Sequence, residues 1–204
     1  MGILSSTVSL TRYRVNGTFD DAPIERIEKS LHRLRIQDMD TEPSELAVGW
    51  TSLFEPFNPD FTGSSFLVAS YFVFSLRIDK KTVPTKVLNK HVEIYQKKRL
   101  AETDREFLSK NEKKQLKDEV KQILLMRVPS VPNVYDVIWD YDQSLLWFFS
   151  TQKAACEELE SLFLKSFNIG LIKLFPYTMA DFELGLTTAE KDQLLNLQPT
   201  SFME

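Results

Sequence analysis

Ser65-Phe-Leu-Val-Ala-Ser70-Tyr-Phe-Val-Phe-Ser75-Leu-Arg-Ile78 is the stretch on which the fold turns. It is rich in aromatic and β-branched residues and too apolar for an exposed strand, so it reads as a strand at the centre of a sheet. Upstream, Leu46 to Phe54 around Gly49-Trp50 is a second strand, followed by a loop at Pro56-Phe57-Asn58-Pro59. Before it, Asp20 or Asp21 is placed to cap a helix with Pro23 in its first turn and Ile24, Ile27, Leu31 and Leu34 on one face. Ser6 to Val15 alternates in the manner of a half-buried strand and ends at Asn16-Gly17. The order up to Ile78 is therefore β-α-β-β.

Downstream, Pro84 opens a helix to about Leu100, and Ser109-Lys110-Asn111-Glu112 matches a capping box that starts another to about Met126. After Pro129 and Pro132 come strands at Val134 to Trp139 and Leu145 to Ser150, with Asp140-Tyr141-Asp142-Gln143 as the turn between them. A helix carrying Ala155, Leu159, Leu162 and Phe163 at core spacing follows, then a strand from Leu171 to Phe175. The expected fold is α+β with mostly antiparallel sheets. Two units, 1–78 (β-α-β-β) and 131–204 (β-β-α-β), are joined by a protruding helical pair over 79–130, and the two units could share one sheet.

The chain has 204 residues, 43% of them hydrophobic and 26% charged, which is a globular composition long enough to bury a core without disulfides. Cys156 is the single cysteine, and with only His32 and His91 besides, a Cys/His zinc site lacks ligands. With no disulfide possible the default compartment is a reducing cytoplasm, and apolar runs too short to span a bilayer give the expectation of no membrane partner. The net charge of −4 argues against a chain that coats nucleic acid with its whole surface. The average hides an asymmetry, because residues 77–127 hold fifteen Lys or Arg against eight Asp or Glu, a surplus of seven, and the rest of the chain carries −11. A basic segment in an acidic body can hold a polyanion locally while the body repels it elsewhere.

At 100° per residue, Lys110, Lys114, Lys117 and Lys121 fall in a stripe about 60° wide, with Lys113 at its edge. Leu116, Val120, Ile123 and Leu124 lie about 90° around the helix, so one side packs while its neighbour presents lysines. The stripe extends over roughly 16 Å, enough to meet several phosphates of one duplex. Lys97, Lys98, Arg99 and Arg127 are secondary candidates for phosphate contact. Lysines are point charges, so the pattern implies affinity for phosphate without base readout. The plainer alternative is a solvated hairpin laced with ion pairs, as Glu93 four residues before Lys97 allows.

At this helical pair the chain resembles a known family. Arg77-Ile-Asp-Lys-Lys81-Thr-Val-Pro84 and Asn111-Glu-Lys-Lys-Gln-Leu-Lys-Asp-Glu-Val120 look like the central block of the bacterial recombination-associated RdgC family. That family carries an Arg-x-Glu-x-Lys-x-Leu-Pro element and a Glu-Lys-x-x-Leu-Lys-Asp-Glu-Val stretch there. Gly49-Trp50 sits where the family has Gly-Trp-Val, and Trp139-Asp140 resembles its Trp-Ile-Asp hairpin. Lys153-Ala154 with Glu157 resembles its Ala-Lys-Lys-Ala-Glu helix start, and the likeness runs from the first strand to about Asp181.

The resemblance implies a sequence-nonspecific DNA-binding protein, a homodimer closing into a ring around duplex DNA, nucleoid-associated, that restrains recombinase filaments. It also implies longer chains, so the expectation is a short member lacking most or all of the C-terminal region. Where the family has Leu-Leu-Pro-Arg-Ala-Phe-Ser-Arg, this chain has Leu124-Leu-Met126-Arg127-Val-Pro129-Ser-Val131, keeping Arg127 but putting Pro129 at the Phe and Val131 at the last Arg. A protein-interaction module of the same fold without DNA binding is the alternative reading.

The family also carries an exonuclease label, for which Asp136, Asp140 and Asp142 are the best metal-binding carboxylates. Two-metal nucleases need several carboxylates converging on ions close enough to clamp one phosphate. Asp140 and Asp142 instead fall in the expected turn, where Asp hydrogen-bonds locally. No Gly-rich phosphate loop is present, His32 and His91 read as surface or boundary residues, and Cys156 reads as core. The expectation is a non-enzyme without catalytic residues, metal or cofactor, with metal-dependent nuclease as a third reading.

Overall fold

The structure, a computed structural model, describes residues 2, 3, 5–19, 22–63, 65–103 and 105–197. The central strand expected within 65–78 is β4 (Tyr71–Lys80), which pairs antiparallel with β5 (Val131–Asp140) along its whole length, from Tyr71↔Asp140 to Lys80↔Val131. On its other side β4 pairs with β2 (Leu46–Thr51), and the short β3 (Leu67–Val68) folds back on Tyr71 and Phe72. The expected continuous strand is thus a hairpin broken at Ala69, whose φ of 54° reverses the chain. Phe66 is apolar because it packs on Phe72, with ring centroids 6.2 Å apart, and not because it continues the strand.

From β5 the sheet continues through β6 (Leu145–Phe148) to β1 (Thr11–Asn16) and β7 (Gly170–Lys173), giving the order β2-β4-β5-β6-β1-β7 with every pairing antiparallel. The first strand therefore lies between two strands from the end of the chain, and strands from 1–78 and 131–204 interleave in one sheet. β1 starts five residues later than its alternation suggests, and Val8 and Leu10 are exposed. Within β1, Thr11, Tyr13 and Val15 point into the core while Arg12 and Arg14 point out. β2 likewise ends at Thr51, short of the exposed Phe54.

One face of the sheet is covered by α1 (Pro23–Arg33) and α4 (Lys153–Phe167), which pack on each other. Ile27 and Leu31 are the buried residues of α1, whereas Ile24, expected on the same face, is exposed. Pro23 stands at the first helical position after Ala22, and the expected Asp20 or Asp21 cap lies outside the described residues. Trp139 sits at the middle of an aromatic core, 5.1 Å from Phe163 and 5.3 Å from Phe167 by ring centroids. Trp50 donates its indole N–H to Ser166 Oγ at 2.7 Å, so the largest buried side chain of β2 is tied to α4. Two short helices, α5 (Pro176–Glu183) and α6 (Thr188–Asn196), follow β7.

Between β4 and β5 the chain leaves the sheet as α2 (Thr85–Thr103) and α3 (Lys110–Leu125), which pack against each other. This is the helical pair expected over 79–130.

Candidate nucleic-acid interface

The arm formed by α2 and α3 has an apolar cluster of its own. Leu88, Leu116, Val120 and Leu124 are buried there with Leu108 of the connection, and Val83, Val92, Tyr95 and Leu100 pack around them. Two exposed cross-links add to it, Arg99 to Glu119 at 3.4 Å and Arg105 to Glu112 at 3.1 Å. The start of α3 is the expected capping box. Ser109 Oγ accepts from Glu112 N at 3.3 Å, and Glu112 Oε2 accepts from Ser109 N at 2.8 Å. The Ser109 N–H, followed by its hydroxyl and then Arg105, holds the Glu112 carboxyl below its ordinary range.

The root of the arm is fastened by Lys81, which is 1% exposed although it carries an ammonium group. Its three N–H bonds are spent on three carbonyls, those of Asp40 (2.9 Å), Glu42 (2.9 Å) and Leu125 (3.0 Å). Leu125 is the last residue of α3, so a buried cation sits where the helix dipole is negative. The loop it grips is also held from the other side, since Asp40 Oδ1 accepts both the hydroxyl (2.7 Å) and the N–H (3.0 Å) of Ser130 just before β5. Those two bonds, hydroxyl first, lower the Asp40 carboxyl from its ordinary value. Glu45 of the same loop pairs with Lys121.

This framework sorts the candidate cations. Lys110, Lys113, Lys114 and Lys117 are exposed and make no ion pair among the described residues. Lys121, on the same stripe by helical spacing, sits where α3 meets the body and is half-buried against Glu45. On α2, Lys97 pairs with Glu93 at 2.9 Å and Lys98 with Glu102 at 3.9 Å, while Arg99 is the cation of the cross-link to α3. The ion-paired pattern weighed as an alternative therefore describes α2 and the foot of α3, and the unpaired stripe occupies the first two turns of α3. Arg127 is exposed and without an ion pair among the described residues. Pro129 and Val131 are exposed beside it, with Val131 opening β5.

The carboxylates at the other end of β5 have separate employment. Asp140 Oδ1 accepts from Gln143 N at 3.0 Å, the local turn bond expected of it. Asp136 accepts the N–H of Ile3 at 2.8 Å and the hydroxyl of Ser75 at 3.0 Å. Four residues apart on one strand, the two lie about 13 Å apart, well beyond the few ångströms that separate paired catalytic ions. Among the described residues no three His, Cys, Asp or Glu side chains gather as a metal-binding group. His32 meets the ring of Phe61 edge-on at 5.7 Å, and Cys156 is buried. No helix among the described residues is long and apolar enough to cross a membrane.

Sequence reasoning missed the fastening of the arm. Lys81 was one charge among fifteen in its segment, and nothing local marked it as buried, since the carbonyls that hold it come from 40, 42 and 125. It also missed Phe107, 77% exposed in the connection at the tip of the arm. The model of one protein family, described as "Putative exonuclease, RdgC", matches residues 8–183, most of the chain and the whole of both the sheet and the arm. No curated protein matches the chain.

Proposed function

The chain belongs to the RdgC family, and on that premise we propose that it binds DNA without sequence preference through the exposed lysines of α3, as a recombination-associated protein that acts on recombinase access and has no catalytic step of its own. The observation that carries this reading is the separation of roles along α3. Its buried side packs on α2, its foot is pinned to the body, and Lys110, Lys113, Lys114 and Lys117 are exposed with no ion pair among the described residues. From Lys110 to Lys117 the helix rises about 10 Å, a span that meets about three successive phosphates of one strand. Arg127 adds a guanidinium at the other end of the helix, Lys97, Lys98 and Arg99 contribute in second rank, and a homodimer would present two such arms to one duplex.

Fluorescence anisotropy of a short labelled duplex across a salt series, with subunit mass measured in parallel, tests the proposal. Affinity should fall steeply with salt. Changing Lys110, Lys113, Lys114 and Lys117 together to Gln, a residue that keeps helix propensity, should reduce the slope of log K against log salt by about 0.9 per lysine. An unchanged slope in the variant would remove α3 from the interface, and absence of binding at low salt would favour the protein-interaction reading. That second reading has one specific support, the exposed Phe107 at the tip of the arm, an apolar anchor of a kind that protein contacts cover.

A further inference from the structure

Outside residues 77–127 the chain has ten Lys or Arg and 21 Asp or Glu. Four of those ten, Arg26, Lys29, Arg33 and Lys165, line a single cleft of about 560 Å³ between α1 and the C-terminal end of α4, over a floor of Phe19 and Phe167. No carboxylate of a described residue lines it. The four cations are 139 residues apart at their extremes and meet only because the two helices pack side by side on the sheet.

Helix C-termini attract cations, and two of the four are placed in that way, Lys165 standing in the last turn of α4 itself. Arg33 donates to the carbonyls of Lys165 (3.3 Å) and Ser166 (3.1 Å) in the last turn of α4. Arg26 and Lys29 exceed that need. Arg26 lies 5.5 Å above the ring of Phe19 and makes no ion pair among the described residues, and neither does Lys165. Among the described residues Lys29 has only Glu25 at 4.0 Å, with both side chains largely in water, a pair that neutralises little. Like charges held around one concave surface repel each other, and a bound anion removes that cost. A phosphate has oxygens and charge enough to meet a guanidinium fork and two ammonium groups at once, more than the two oxygens of a carboxylate, and the volume lies in the range of small-ligand sites.

We infer that this cleft is a phosphate-binding site, distinct from the lysines of α3. The phosphate can come from the backbone of a nucleic acid strand or from a free phosphate ester, and the site chemistry is the same for both.

The test is a ¹H–¹⁵N NMR titration of the full chain with inorganic phosphate at matched ionic strength in sodium chloride, read at the amides of Ser30, Arg33, Asn168 and Ile169. Saturable shifts at these amides are expected, lost when Arg26 and Lys165 are both changed to Gln. Both side chains are exposed, so the variant keeps the core, and the unchanged spectrum of the sheet checks this. Adding an oligothymidylate strand to the phosphate-loaded protein then assigns the source. Reversal of the shifts by the strand's own pattern points to backbone phosphate, and persistence points to a free ester. Absence of shifts, shifts equalled by chloride, or shifts that survive in the variant would overturn the site. The quadruple Gln variant of α3 should leave these shifts intact, so failure of the arm as a DNA contact and failure of the cleft are read separately.

Discussion

Gly49 lies on β2 where the chain entering from α1 crosses it, with Arg35 bridged to Trp50. A Cβ at Gly49 would stand 2.5 Å from both the backbone N and the Cα of Ile36, so the obstacle is main chain and cannot swing aside. Gly49→Ala should therefore lower stability by about 1–3 kcal/mol, seen as a lower urea midpoint at unchanged slope. This also gives a physical reason for the Gly before Trp50, because Trp50 exchanges backbone hydrogen bonds with the crossing chain at Leu34 and Ile36 while its indole reaches Ser166. Lys81 is the second residue whose neighbours decide its role. Replacing it with Met keeps the length and apolar stem but leaves three carbonyls without their donor. Lys81→Met should cost on the order of 3 kcal/mol in urea unfolding, and limited proteolysis should cut first near 81 and 125.

Among the elements, α3 carries the largest share of the proposed function. Its capping box was legible as Ser109 to Glu112, and its buried side as Leu116, Val120 and Leu124, because both follow from spacing within one helix. The rank of its lysines was not legible, since Glu45 lies 76 residues from Lys121 and only the folded loop brings them together. The capping box carries a pH dependence. Glu112 is held below its ordinary carboxyl range when folded, so its contribution is fully present above that range and is lost as pH falls from there through the lowered folded value. Far-UV circular dichroism on lowering the pH should show helix loss beginning earlier in the natural chain than in Glu112→Gln, relative to each protein's neutral signal. Before that normalisation, the neutral signals of the two proteins should match if the Gln side chain still reaches the Ser109 N–H.

For the molecule as a whole, two apolar clusters of unequal size set the order of opening. The sheet buries Trp50, Phe74 and Trp139 against α1 and α4, with Phe163 of α4 among them, whereas the arm rests on Leu88, Leu108, Leu116, Val120 and Leu124. Hydrogen exchange should accordingly show the amides of α2 and the start of α3 opening at lower free energy than those paired between β4 and β5, with the last turn of α3 intermediate because Lys81 pins it. Equal protection in the two regions would mean that arm and sheet unfold as one. What the sequence determined by itself is everything carried by short-range periodicity and composition: the α+β class, the apolar β4, the two arm helices with the cap of α3, the turn at Asp140, and the excess of cations over 77–127. What only the tertiary structure decided is which strands neighbour one another, where the chain reverses at Ala69, which lysines are neutralised, and that Arg26, Lys29, Arg33 and Lys165 share one cleft. The physical reason is range. Helix and strand patterns are set by neighbours a few residues apart, whereas pairing, burial and electrostatic compensation are settled by groups brought together from distant parts of the chain when the sheet closes.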